Sequence, residues 1–264
     1  TETVLTYDVR GLRRSITDPS AGHWTFDYYP SGELKSQTNA RGQVTSFTYD
    51  RLSRLTSRAE PEGTSTWVWG TSASSRSIGS LAAVSAPGFH ESYQYDSYGR
   101  PSTVTRTAAG YSMVSQQTYD AATGLPDVFS YPQTTAAPRL RVRHHYDRGR
   151  LVRLSDADSG AVYWQLSAVN TLGFVSDETL GNGVRVASTY DAVTGSLVAR
   201  TSGPGGGSSY QNLGYAWDAA GNLTLREERN RGVQEQFYYD NRDRLDYVVR
   251  GGSVVLDLGY DNIG

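Results

Sequence analysis

Cysteine is absent from the 264 residues. That excludes disulfides, thiolate catalysis and cysteine zinc sites, and it leaves the redox compartment open. Lysine is nearly absent: Lys35 is the only one, so arginine carries the basic charge. No run approaches the ~18–20 apolar residues of a membrane-spanning helix. The opening Thr1-Glu2-Thr3-Val4 lacks the features of a signal peptide. No segment sustains the apolar period of a helix. Formal net charge is only −2, so no global field draws the chain to nucleic acid. The arginines are spread out and are read as solvated strand faces paired with Asp and Glu.

Apolar residues are also scarce, at 37% of the chain, with a mean hydropathy of −0.52. A compact globule of this length buries roughly three quarters of its unfolded surface. This composition suits a thin structure with much wetted surface. It is not a disordered composition, because 19 Tyr, 6 Phe and 5 Trp are too many aromatics for that.

What is present is one turn, many times over. Tyr7-Asp8-Val9-Arg10-Gly11-Leu12 introduces the pattern Tyr-Asp-x-x-Gly-x-Leu, and Trp217-Asp218-Ala219-Ala220-Gly221-Asn222-Leu223 restates it. Copies start at Tyr7, Tyr28, Tyr49, Tyr95, Tyr119, Tyr146, Tyr190, Trp217, Tyr239 and Tyr260. The acids beside them are Asp8, Asp50, Asp96, Asp120, Asp147, Asp191, Asp218, Asp240 and Asp261. The turn glycines are Gly11, Gly32, Gly99, Gly124, Gly149, Gly195 and Gly221, with Ser53 and Asp243 in that slot elsewhere. A worn copy fits Val169-Asn170-Thr171-Leu172-Gly173, and a degenerate one falls around Trp69-Gly70. The steps 7→28→49, 169→190 and 239→260 are each 21 residues. A fixed period of this size signals a repeat architecture whose units stack on their neighbours.

Each period holds two extended segments. Trp24, Phe26 and Tyr28 alternate with Thr25 and Asp27; Val254, Leu256, Leu258 and Tyr260 alternate with Val255, Asp257 and Gly259. Period two with aromatic and β-branched enrichment predicts strands. In the turns, Asp accepts backbone N–H groups two residues on, and Gly supplies φ > 0 in a bulge that matches hairpin twist. Ser53 suits that conformation less well, so its turn is expected to differ in shape. Asp120 to Gly124 and Asp191 to Gly195 lengthen the loop by one residue, and Asp147 to Gly149 shortens it by one. Thr71 to Ser80, Pro132 to Pro138 and Ser202 to Ser208 are read as loops, the last the most flexible. Strand patterns resume on both sides of each, so residues 1–264 are expected to form a single repeat domain. The motif continues into Tyr260-Asp261-Asn262-Ile263-Gly264, which suggests a piece of a longer polypeptide.

In period and motif the whole chain resembles the YD-repeat, or Rhs-repeat, family: bacterial Rhs proteins, the B/C shells of Tc toxins and the YD shells of teneurins. The resemblance implies an internal fragment of the repeat array. It implies an all-β fold: a curved antiparallel sheet of tandem hairpins, roughly twenty strands, winding as a spiral shell or β-cocoon. It further implies a secreted or cell-surface bacterial protein whose shell encloses and sequesters a C-terminal toxin domain. The partners would then be the rest of that shell and the enclosed toxin. The motif aromatics become shell-stacking residues. The family's Asp-Pro-x-Gly-Leu core region is absent, so autoproteolysis is assigned to no residue.

Other constellations point to little chemistry. His144 and His145 are adjacent on a strand and face opposite ways, so they cannot chelate one metal side by side. Asp156-Ala157-Asp158-Ser159-Gly160 lacks the later ligands of a calcium loop and is read as a hairpin turn. Gly203 to Gly207 is followed by no Gly-Lys-Ser/Thr, so no phosphate cradle is assigned. The chain is expected to be no enzyme, with no cofactor, metal, nucleic-acid partner or membrane span. The alternatives are a cell-surface glycan-binding or adhesion module using exposed aromatics, and a carbohydrate-active enzyme with two carboxylates facing across a cleft.

Overall fold

The computed structural model describes residues 2–133 and 137–261. Among them are 23 strands and no helix. The first eleven are β1 (Val4–Tyr7), β2 (Arg13–Asp18), β3 (Gly22–Tyr28), β4 (Leu34–Thr38), β5 (Val44–Tyr49), β6 (Leu55–Glu60), β7 (Gly63–Trp69), β8 (Leu81–Ala86), β9 (Phe89–Tyr95), β10 (Pro101–Ala108) and β11 (Tyr111–Tyr119). A short β12 (Pro126–Ser130) follows. Then come β13 (Arg141–Asp147), β14 (Arg150–Asp156), β15 (Val162–Val169), β16 (Val175–Leu180), β17 (Val184–Tyr190) and β18 (Leu197–Pro204). The last are β19 (Gln211–Trp217), β20 (Leu223–Glu228), β21 (Val233–Tyr239), β22 (Leu245–Arg250) and β23 (Ser253–Asp257).

The contacts group into two compact units. One takes the chain up to Tyr119 together with Phe129–Leu140; the other takes Asp120–Val128 together with the chain from Arg141 on. In the first unit every strand from β1 to β11 pairs antiparallel with the next. In the second unit the strands from β13 to β23 do the same. Sequential pairing is what short turns allow: a few residues bring antiparallel neighbours together, whereas a parallel pair needs a long crossover. The fold is therefore all-β, built of consecutive antiparallel hairpins.

The ladders share one irregularity. The register slips immediately before most of the motif aromatics, as between Thr6 and Tyr7, Asp27 and Tyr28, Thr48 and Tyr49, and Tyr238 and Tyr239. The aromatic then pairs with the residue two past the turn's glycine slot, as in Tyr28↔Leu34 and Tyr239↔Leu245. This is a bulge generated by the turn, where a residue with φ > 0 adds one residue to a strand.

Burial is slight. Val128, Val184, Val186 and Val248 are the buried apolar residues among those described, and no large side chain is fully enclosed. The surface is 16940 Å² for a mass of 28.9 kDa. A compact monomer of that mass exposes about 11,400 Å². The excess follows from strands that have ladder neighbours but little packed over their faces. Much of what is buried is polar: Glu91, Asp177, Glu235, Ser65, Ser115 and Ser155.

Two loops differ from the sequence expectation. Ser53 adopts φ 60 and makes the same turn as glycine, because Asp50 closes it through bonds that no side chain at position 53 obstructs. Ser202, Gly203 and Pro204 belong to β18, where the ladder to β17 holds them; only the following glycines turn. The Pro132 to Pro138 loop and the final turn after Asp261 include residues 134–136 and 262–264, which lie outside the described residues. So does Thr1 of the opening stretch.

Candidate functional site: the repeated turn and its aromatic

The turn acid works through its own backbone neighbourhood. Asp8 accepts from the N–H groups of Arg10 and Leu12 at 2.8 and 2.9 Å. Its own N–H donates to the carbonyl of Leu12 at 2.8 Å, and Gly11 N–H returns to the Asp8 carbonyl at 3.0 Å. Gly11 sits at φ 80 with open space where a Cβ would stand, so conformation and not crowding selects glycine. Asp50, Asp96, Asp218 and Asp240 repeat this set. Asp120 and Asp191 use the longer loop and also take the hydroxyls of Thr123 and Thr194. Asn170 closes the worn copy in the same way. At Trp69-Gly70 the closing bonds run from Gly70 to Ser80 and from Gly79 to Gly70 around an inserted loop.

Two places depart from the pattern. Arg148 and Gly149 both have positive φ, giving a two-residue turn, and Asp147 pairs with Arg150 inside the ladder. Asp147 therefore does not cap its turn as the other acids do. At the opposite end of the strands, Asn39 makes the full bond set with Arg41, Gln43 and Gly42. Sequence reading passed over it because no aromatic precedes it, although Asn with Gly three residues on was the available signal.

These bonds set the electrostatics. Backbone donation from Leu12, Asn222 and Arg244 holds Asp8, Asp218 and Asp240 below the usual carboxylate range. The Arg54 side chain does so first for Asp50. At Asp96 partial burial pushes upward, but donation from Arg100 outweighs it. Asp156, taking the Ser159 N–H and then the Tyr163 hydroxyl, falls to about 2. It makes the hairpin turn between β14 and β15.

The aromatic reaches back to the preceding repeat. Tyr28 donates its hydroxyl to the Arg13 carbonyl at 2.9 Å, Tyr95 to Leu81 at 2.5 Å, and Tyr119 to Pro101 at 2.8 Å. In the second unit Tyr190 donates to Val175 at 3.1 Å, Tyr239 to Leu223 at 3.0 Å and Tyr260 to Leu245 at 2.6 Å. Trp69 and Trp217 use the indole N–H instead, to Leu55 and Leu197, both at 2.8 Å. Every acceptor lies two residues past the previous turn's glycine position. Burial pushes the phenols of Tyr49, Tyr95, Tyr119, Tyr146 and Tyr239 up. They stay neutral.

Arginine adds a second link. Arg54, Arg100 and Arg244 follow the glycine slot and pair with Asp50, Asp96 and Asp240 at 2.6, 2.7 and 2.8 Å. Their guanidinium carbons also lie over the next repeat's ring: Trp69 at 4.8 Å, Tyr119 at 4.0 Å and Tyr260 at 4.1 Å. Each such cation–π contact at an exposed site contributes about 0.5–1 kcal/mol.

Farther from these turns, strand acids are clamped across the ladder. Glu235 on β21 receives Arg226 Nε of β20 at 2.7 Å and Arg250 Nε of β22 at 3.0 Å. Glu91 receives Arg106 at 2.5 Å and the Tyr93 hydroxyl. Asp177 receives Arg185 Nε at 2.8 Å. Around Glu235 lies a shallow hollow of about 440 Å³ that Arg231 and Glu228 also line. Among the described residues, no group of three or more His, Asp or Glu is placed to hold a metal ion.

A family model described as RHS Repeat matches residues 28–65. No curated protein matches the chain by sequence. Solved structures do match by fold. The crystal structure of TcdB2-TccC3-Cdc42 superposes with a TM-score of 0.78 at 18% identity over 93% of this chain. That of TcdB2-TccC3 gives 0.78 at 17% identity, again over 93%. This chain spans 14% of each of those chains. The RHS Repeat model thus falls where the turn geometry is plain, that geometry recurs along both units, and the fold is similar to that of the TcdB2-TccC3 structures.

Proposed function

We propose that this chain is a length of wall in an Rhs-type toxin shell, which encloses and sequesters a toxin domain carried C-terminal to the repeats of the same polypeptide. The observation that carries this reading is the bond from eight motif aromatics, spread over both units, to the previous repeat. It makes each of those hairpins a support for its neighbour, with the aromatic and the turn acid used structurally. The polar burial fits a wall with wetted faces, since acids such as Glu235 are satisfied by arginines within the sheet and not by a second layer. The fold likeness to TcdB2-TccC3 structures supports the same reading. All 264 residues act as one repeat domain here, in a secreted or cell-surface bacterial protein whose partners are the rest of the shell and the toxin.

Limited proteolysis of the whole polypeptide tests this. The domain after the repeats is expected to survive protease while the shell is intact and to be cut once the repeats are unfolded. Cutting at equal rates in both states overturns the reading.

One feature favours a second reading, a glycan-binding surface. Tyr238 and Tyr247 stack at 4.4 Å, and Tyr238 is exposed. A glycan array probed with the chain and with Tyr238→Ala separates the two. Binding lost in the variant supports the glycan surface, and the absence of binding removes it.

A further inference from the structure

The four histidines differ in what holds their ring nitrogens. His23 and His90 each use Nδ1 against a hydroxyl, of Thr17 and Ser85, at 2.8 and 2.9 Å. A hydroxyl turns to donate or accept, so those contacts survive protonation. His144 Nδ1 faces the Asp127 carbonyl at 3.0 Å. A carbonyl only accepts, so this nitrogen donates, and protonating the other one breaks nothing.

His145 is different. Its Nε2 lies 2.8 Å from Ser155 Oγ, and its Nδ1 lies 3.2 Å from Arg153 Nη2. Arginine has donors and no acceptor, and it does not lose its proton. The lone pair must therefore sit on Nδ1 and the proton on Nε2, which then donates to Ser155. Ser155 is among the most buried residues of the chain. His145 and Arg153 face each other across the ladder of β13 and β14, and Arg143 faces Ser155. Of the charged groups around the ring, Arg153, Arg143 and His144 oppose a positive imidazole, and Asp127 alone favours one. Asp127 is itself engaged by Arg143 at 3.4 Å.

We propose that His145 is an acid-sensitive clasp: protonation at Nδ1 breaks its bond from Arg153, sets two cations against each other, and loosens the β13–β14 hairpin. Desolvation first, and Arg153 next, lower the ring's pKa. The folded state thus binds fewer protons than the unfolded chain. Stability supplied by the clasp is complete above the unfolded value near ~6.5 and is lost as pH falls through the lower folded value. For each pH unit between the two values, the folding equilibrium falls by about tenfold. If the chain is a container wall, which rests on the proposed function, this hairpin is where acid weakens it. The clasp itself depends only on the local geometry.

The test is amide hydrogen exchange of the 264-residue chain at pH 7.5 and 5.0, corrected for intrinsic rates, beside a proton NMR titration of the His145 ring. Amides of 141–156 are expected to lose protection at pH 5.0, and the ring to titrate below 6.5. In His145→Gln, whose amide both donates and accepts, the pH dependence of that hairpin is expected to vanish. Equal protection at the two pH values, a ring titrating at or above 6.5, or an unchanged response in His145→Gln overturns the proposal. The ring titration uses the natural chain, so it decides even if the variant fails to fold. Loss of the clasp with the toxin still protected separates this proposal from the shell reading.

Discussion

Tyr239 donates to the Leu223 carbonyl from a ring that is only partly covered. Removing the hydroxyl in Tyr239→Phe is therefore expected to cost about 0.5–1.5 kcal/mol in urea unfolding, the net value of one such bond. Tyr239→Ala loses ring packing as well. A fully buried ring would cost roughly 3–5 kcal/mol, so partial cover implies about 1.5–3 kcal/mol. Equal stability of the Phe variant and the natural chain would show that the bond contributes nothing. The turn glycine is tested separately. Gly221 sits at φ 90 with nothing near where a Cβ would stand, so Gly221→Val is strained by backbone alone, by about 1–2 kcal/mol or more. Gly221→Asn is expected to cost less, because asparagine tolerates that region. A larger loss for Asn than for Val would contradict the turn assignment.

At the scale of one hairpin, Arg244 joins the turn at Asp240 to the ring of Tyr260. A double-mutant cycle of Asp240→Asn and Arg244→Met should return a small favourable coupling, as expected of a partly exposed pair. Arg244→Lys should not restore it, since lysine lacks the planar fork that both contacts use. The turn acids also predict an acid response. Asp8, Asp50, Asp218 and Asp240 have folded pKa values below their unfolded ones. Their contribution is complete above about pH 4 and is lost as pH falls through the lower native values. Thermal midpoints should drop between pH 4 and 2.5, and a rise would contradict the capping role.

The hairpins were legible in the sequence because each turn demands Asp at its start and Gly near its end. Where the demand relaxes, so does legibility. Ser53 makes a standard turn that its residue type argues against, and Asn39 makes one that no aromatic announces. The clamped acids were not legible at all. Glu235 looks like a solvent-facing strand residue; only the pairing of β20, β21 and β22 brings Arg226 and Arg250 to it. The same holds for His145, which faces Arg153 through register alone.

For the whole molecule, period and composition together pointed to thin, wetted repeats, and the large surface with its sparse apolar core agrees. Stability in such a chain is a sum over neighbouring repeats, not the property of one core. Single substitutions of motif aromatics at distant repeats should therefore be close to additive, within about 0.5 kcal/mol. The central claim is that these repeats are wall. An experimental structure of the whole polypeptide that carries this chain tests it most directly. The account predicts residues 1–264 as consecutive hairpins bordering a hollow that holds the C-terminal domain. Finding them packed face to face against another sheet, with that domain outside and exposed, would contradict it.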